Sequence, residues 1–190
     1  VADFAAVVLA GGGASRLGGV DKVMLPVAGR TLLDRTLDAV AGADPVVVVG
    51  PERPTATPVR WTVEEPAGGG PLAAVEAGLR LIDDADGLVA VLAADHPHLT
   101  QDTLARLRAA LREDPEAGGA VLSEPGGRAQ WLVGLWRLRS LREAMPAETR
   151  NRPVRAILAP LDPLRIEATT AEVSDVDTPH DLRRARTPER

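Results

Sequence analysis

The strongest chemical signal in the chain is a glycine-rich segment near its start: Leu9-Ala10-Gly11-Gly12-Gly13-Ala14-Ser15-Arg16-Leu17-Gly18-Gly19-Val20-Asp21-Lys22. Glycines let a backbone approach a ligand closely and adopt positive φ. Successive N–H groups in such a loop form a concave nest for anions. Arg16 and Lys22 add two cations, and phosphate is the guest that this chemistry predicts. Two standard phosphate loops fail here. A dinucleotide fingerprint beginning at Gly11 requires glycine where Arg16 stands, and a P-loop requires glycine before the lysine and serine or threonine after it, where Asp21 and Val23 stand. On these residues alone a purely structural loop remains the alternative.

Lys22 carries a second signal. The chain has 22 basic residues, and every one except Lys22 is arginine. An ammonium is a compact point charge and a guanidinium a planar fork, so a lone lysine in an anion loop suggests a site that requires the former. Asp95 follows the apolar run Leu88–Ala94. An ionised carboxylate at such a strand end needs a partner or a metal ion; a turn or helix cap is the alternative. His96 and His98 flank Pro97 without a cysteine or third histidine nearby, which favours a loop pair over a zinc site. Trp131 and Trp136 read as core residues, one of which could line a cleft. Arg152 and Arg155 read as a solvated helix face.

The elements that must position these groups alternate. Phe4–Leu9, Pro45–Gly50 and Leu88–Ala94 are short apolar runs of the kind buried in parallel sheets. Trp61–Glu65, Ala120–Leu122, Trp131–Trp136 and Leu164–Ala168 read as further strands. Thr31 and Thr100 are helix caps ahead of leucines at helical spacing. Pro71 opens a helix carrying Leu72, Val75, Leu79 and Ile82, with proline at the first position, where its missing N–H does no harm. Val154–Leu161 reads as helical, and Thr178-Pro179-His180-Asp181 as a capped helix start. The tail after Arg183 reads as frayed. Strand–helix alternation predicts an α/β sandwich with a mostly parallel sheet covered on both faces. Ligands in such folds bind beyond the carboxyl ends of the strands, where the glycine loop and Asp95 both fall.

Bulk properties agree with a small-molecule enzyme. At 190 residues, the chain is read as a single domain over 1–190. The composition, 45% apolar and 26% charged with a net charge of −5, is that of a globular protein and lacks the basic balance of a nucleic-acid binder. There is no cysteine, so neither disulfides nor thiolate metal sites arise. No apolar run reaches the ~20 residues of a membrane span, and no signal peptide is read at the start. The expected location is the cytoplasm.

These motifs resemble a known family. Leu9-Ala10-Gly11-Gly12, Ser15-Arg16-Leu17-Gly18, Asp21-Lys22, Leu25-Pro26 and Gly29 look like the signature of the sugar-nucleotidyltransferase-like superfamily, whose fold is GT-A-like. Gly70-Pro71-Leu72-Ala73-Ala74, Ala94-Asp95-His96-Pro97, Gly134-Leu135-Trp136 and Asp177-Thr178-Pro179-His180-Asp181-Leu182 extend the likeness along nearly the whole chain. Within the superfamily the pattern is most similar to the molybdenum cofactor guanylyltransferases.

The resemblance implies a Rossmann-like three-layer α/β sandwich that joins GMP from GTP to the phosphate of molybdopterin and releases pyrophosphate. It implies Mg2+ as cofactor, and molybdoenzymes or cofactor-insertion proteins as recipients of the product. By matching position, Leu9, Ala10, Gly11, Gly12, Gly13, Gly70 and Pro71 would cradle the nucleotide, and Arg16, Gly19 and Lys22 would hold the triphosphate. Asp95 matches the magnesium ligand. The family commonly has asparagines where Asp175 and Asp177 stand; Asp177 could be a second metal ligand with Asp175 orienting it, or Asp177 could only cap the last helix. Lys22, Arg16 and Asp95 are thus the expected catalytic groups. The alternatives are a cytidylyltransferase of the same cofactor, a sugar-1-phosphate nucleotidyltransferase (for which the short chain leaves little room) and a non-catalytic nucleotide-binding module.

Overall fold

A computed structural model describes residues 3–11, 20–83 and 86–186. Its centre is a seven-stranded sheet built from β1 (Phe4–Leu9), β4 (Val46–Val49), β5 (Arg60–Thr62), β6 (Leu88–Ala93), β7 (Gly119–Ser123), β8 (Ala129–Arg137) and β9 (Leu164–Glu167), in the order β5-β4-β1-β6-β8-β7-β9. Strand β8 runs antiparallel to β6 and β7, and the other pairings in this sheet are parallel. The expected mostly parallel sheet is therefore present, with one reversed strand.

Both faces of the sheet are covered, which explains why its central strands are apolar at nearly every position. In β1, Ala6 and Val8 face one core with Leu33 and Leu37 of α1 (Leu32–Ala39) and Leu104, Leu107 and Leu111 of α3 (Gln101–Glu113). The alternate residues Ala5, Val7 and Leu9 face a second core with Val75 and Leu79 of α2 (Pro71–Leu79), Leu138 and Leu141 of α4 (Leu138–Ala144) and Leu158 of α5 (Val154–Leu158). Helix α2 lies close on the sheet because Gly78 has no side chain; a Cβ there would stand 2.4 Å from Val7 Cγ1. Trp136 is wholly buried, whereas Trp131 is partly buried against the second core.

The helix starts follow their capping residues. Thr31 Oγ1 accepts the Asp34 N–H at 3.0 Å, and Thr100 and Thr103 form a reciprocal capping box. Pro71 occupies the first turn of α2, and α6 (Pro179–Arg186) begins at Pro179 as expected. Helix α6 continues to Arg186, so the chain does not fray immediately after Arg183. The helix expected over 154–161 is broken. It changes to a 3-10 turn over Ala159–Leu161, because Pro160 cannot donate an N–H, and it ends at left-handed Asp162. A small hairpin, β2 (Pro26–Val27) with β3 (Arg30–Thr31), turns through Ala28 and Gly29, both at positive φ. Among the described residues, no helix is long and apolar enough to cross a membrane.

One buried acid ties the last part of the chain to α3. Glu172, 7% exposed, accepts hydrogen bonds from Thr103 Oγ1 at 2.6 Å, the Thr169 N–H at 2.9 Å and the Arg106 guanidinium. Burial opposes its charge, but these donors and the Arg106 charge outweigh it and lower its pKa from the ordinary 4.5. Its contribution to stability is thus complete above pH 4.5 and is lost as pH falls through the depressed folded value. Glu172→Gln is expected to lower unfolding free energy at pH 7 by about 1–3 kcal/mol. Urea titrations should show that deficit shrinking as pH falls below 4.5; a deficit independent of pH would count against the charged network.

Candidate active site

The site lies at the carboxyl ends of β1 and β6. The N–H of Ala94 donates to the carbonyl of Leu9 at 3.0 Å, and that of Ala10 donates to Val49 at 2.8 Å, so three parallel strands end in register. The chain leaves β6 through Ala94 and presents Asp95. The Asp95 carbonyl accepts the N–H of Val176 at 3.0 Å. Val176 is fully buried in a small core with Val27 and Leu32. This anchor brings Asp175 and Asp177, its two neighbours, beside an aspartate some eighty positions earlier in sequence. One carboxylate oxygen from each of Asp95, Asp175 and Asp177 lies within 4.8 Å of the others.

Lys22 enters the same cluster from a 3-10 turn, Lys22–Met24, which is anchored by buried Val23. Its Nζ donates to Asp95 Oδ2 at 2.9 Å and to Asp177 Oδ1 at 2.6 Å. Burial penalises the ammonium, but the Asp95 and Asp177 carboxylates more than compensate and raise its pKa. The other Asp95 oxygen lies 2.9 Å from Nδ1 of His96, which is 8% exposed. Burial would raise the pKa of Asp95, yet the His96 contact and Lys22 hold it far below the usual carboxylate range. Asp175 is shifted the opposite way: burial and then the charges of Asp177 and Asp95 raise its pKa. Within one cluster, the carboxyl of Asp95 is thus held toward its ionised form and that of Asp175 away from it.

The donor set suits a hard divalent cation. Carboxylate oxygens without thiolates or a cluster histidine favour Mg2+ or a similar ion over zinc. His96 contacts a carboxylate and is not itself part of the oxygen cluster.

Next to Asp95, a cavity of about 440 Å3 opens between the end of β1 and the start of α2. It brings together Leu9, Gly11, Gly70 and Pro71, four positions expected from sequence to cradle the nucleotide, with Asp95, the expected metal ligand. Gly70 takes φ 89° and precedes Pro71, so the unpaired N–H groups of the first turn of α2 face this region with the positive end of the helix dipole. The turn is braced from behind by the Asn151 N–H, which donates to Gly69 at 2.7 Å. Ala10 is buried. Gly12, Gly13, Arg16 and Gly19 lie outside the described residues.

Three contributors carried no local sequence signal. Arg53 donates through Nη1 to the Ala10 carbonyl at 3.1 Å and through Nε to Asp21 Oδ2 at 2.6 Å. It thereby ties together the two ends of the glycine-rich segment. Glu64 lines the cavity and accepts the Gly68 N–H at 3.1 Å, and Leu132 forms part of its apolar wall. Arg152 and Arg155 are both exposed, in keeping with a solvated face.

A family model described as the MobA-like NTP transferase domain matches residues 6–166 of this chain. The chain belongs to the MobA-like NTP transferase family. A relative from Bradyrhizobium sp. (strain ORS 278), named molybdenum cofactor guanylyltransferase, is 36% identical over 159 residues, which cover 75% of this chain and 71% of the relative. The crystal structure of molybdopterin-guanine dinucleotide biosynthesis protein A from Archaeoglobus fulgidus has a TM-score of 0.69 at 21% identity, covering 95% of this chain and 96% of that one. The 2-C-methyl-D-erythritol 4-phosphate cytidylyltransferase of Thermus thermophilus has a TM-score of 0.71 at 22% identity, covering 96% of each chain. These two structures establish the nucleotidyltransferase fold. The MobA-like match includes Lys22 and Asp95, while Asp175 and Asp177 lie beyond its end.

Proposed function

We propose that this MobA-like chain transfers the guanylyl group of GTP to the terminal phosphate of molybdopterin and releases pyrophosphate. The observation that carries this reading is the joining of a nucleotide-sized cavity, walled by Leu9, Gly11, Gly70 and Pro71, to the carboxylate–lysine cluster at Asp95. The curated relative from Bradyrhizobium supports the choice of substrates.

The chemistry needs little from a general base. An acceptor phosphate monoester is already mostly dianionic near pH 7. One of its oxygens attacks the α-phosphorus in line, the new P–O bond forms, and the bond to the bridging oxygen of pyrophosphate breaks with its electron pair. The protein's task is to hold three anionic groups together and offset their charge. Asp95 and Asp177 would hold Mg2+, which when bound screens phosphate oxygens and favours departure of pyrophosphate; Asp175 orients that pair. Lys22 offsets charge on the triphosphate, and Arg16 steadies the leaving pyrophosphate. The backbone of Gly11, Gly12 and Gly13 cradles the nucleotide, and Gly19 supports the phosphates.

Acceptor choice tests this reading. With GTP and Mg2+, molybdopterin is expected to give pyrophosphate in step with a guanylylated product. Sugar 1-phosphates and 2-C-methyl-D-erythritol 4-phosphate should give none above background. Pyrophosphate from a sugar phosphate but not from molybdopterin would overturn the acceptor. No release with any acceptor would point to a nucleotide-binding module.

A further inference from the structure

Lys22 is bound to the very carboxylates that the proposed reaction needs for its metal ion. Its ammonium lies 2.9 Å from Asp95 and 2.6 Å from Asp177, and both acids belong to the cluster whose oxygens approach within 4.8 Å of one another. We infer that Lys22 is an exchangeable internal counter-ion: it pairs with Asp95 and Asp177 in the free protein and moves to the triphosphate when metal and nucleotide bind together. This inference rests on the reading of the three aspartates as the metal site.

The physical case is one of competing cations. A divalent ion coordinated by carboxylates needs the oxygen lone pairs that Lys22 engages, at the shorter distance of about 2.0–2.1 Å. Two cations sharing those oxygens would also repel each other strongly in a partly buried setting. A metal ion arriving alone must therefore strip Lys22 of two anionic partners and leave its charge unpaired. When a triphosphate arrives with the metal, Lys22 has a new anionic partner, and that cost disappears. The result is positive coupling between metal and nucleotide, equal in both directions.

The side chain suits this role. Four flexible bonds let a lysine ammonium swing between partners without moving the backbone, whereas the planar fork of arginine would engage the two carboxylates in directed pairs and stay. That difference gives a physical reason for the single lysine in a chain that otherwise uses arginine for each of its basic residues. Its present partner Asp95 lines the cavity in which the phosphates of a bound nucleotide would lie, so the move required is short.

Two measurements test the exchange. The first is direct binding of Mn2+, followed by electron paramagnetic resonance without acceptor, to the wild type, Lys22→Met and Lys22→Gln. Both variants are expected to bind Mn2+ alone about tenfold more tightly than the wild type. Added GTP should tighten Mn2+ binding markedly in the wild type and much less in the variants. The second uses the wild type labelled with 13C-lysine, which gives one side-chain signal because Lys22 is the sole lysine. That signal should shift most when Mg2+ and GTP are added together. If both variants bind Mn2+ no more tightly than the wild type, the counter-ion role is overturned while the metal site stands. If none of the three proteins binds Mn2+, with or without GTP, the metal reading itself fails and the exchange with it.

Discussion

Asp95→Ala is expected to abolish turnover, with a loss on the order of a thousandfold or more, while the fold survives. The fold should survive because Asp95 serves structure through its backbone. Its carbonyl accepts the Val176 N–H, and alanine keeps that bond. The chemistry should fail because the carboxylate is the meeting point of the site. Its Oδ2 pairs with Lys22, its Oδ1 with His96, and its side chain borders both the acid cluster and the nucleotide cavity. Removing it takes one ligand from the proposed metal site and leaves the His96 Nδ1 without its Asp95 partner in a buried setting. Asp95→Asn separates these effects: the amide oxygen can still meet His96, but the charge is gone. Pyrophosphate release at saturating Mg2+ and a thermal melt on each variant check the outcome. Near wild-type turnover in the alanine variant would remove Asp95 from the chemistry.

Lys22→Ala is expected to lower kcat by about a hundredfold or more, comparable to losing one donor that acts chiefly in the transition state. The effect should fall on kcat more than on KM, because the charge that Lys22 offsets grows as pyrophosphate departs. Lys22→Arg restores charge but not function in this account. Its planar fork matches carboxylates in pairs and would bind Asp95 and Asp177 more durably than an ammonium does. Steady-state kinetics on both variants provide the check. Full activity in Lys22→Arg would mean that generic positive charge suffices, and would also argue against any need for lysine to leave the carboxylates.

Several features of the fold were legible from local chemistry. The apolar run at Phe4–Leu9, the caps Thr31 and Thr100, and Pro71 at a helix start each have a local cause, and each appears where that cause lies. The direction of β8 was not legible, since an apolar strand carries the same pattern whichever way it runs. Helix α4 was also missed: it follows β8 without a break, and Arg137 provides no side-chain cap to mark its start. In the site, the type of Asp95 and its place after an apolar strand were readable from sequence. Its pairing with Asp177 depends on one long-range backbone bond through Val176 and could not be read locally. Arg53 shows the same limit. Nothing in Gly50-Pro51-Glu52-Arg53-Pro54 signals that its guanidinium reaches both Ala10 and Asp21.

The choice of base tests the central claim most directly. A guanine needs more room than a cytosine, and Gly11 lines the cavity; among the described residues, a Cβ there would meet only the Val49 carbonyl oxygen, at 3.8 Å. Gly70 and Pro71 form the facing edge. A site whose backbone groups pair with one base leaves them unpaired with another, so discrimination is strong. The measurement is kcat/KM for GTP and for CTP with molybdopterin as acceptor, read as pyrophosphate released and nucleotide-linked cofactor formed. The account predicts a preference for GTP of at least about a hundredfold. Equal or better use of CTP would contradict the guanylyl assignment and leave a nucleotidyltransferase of different base specificity.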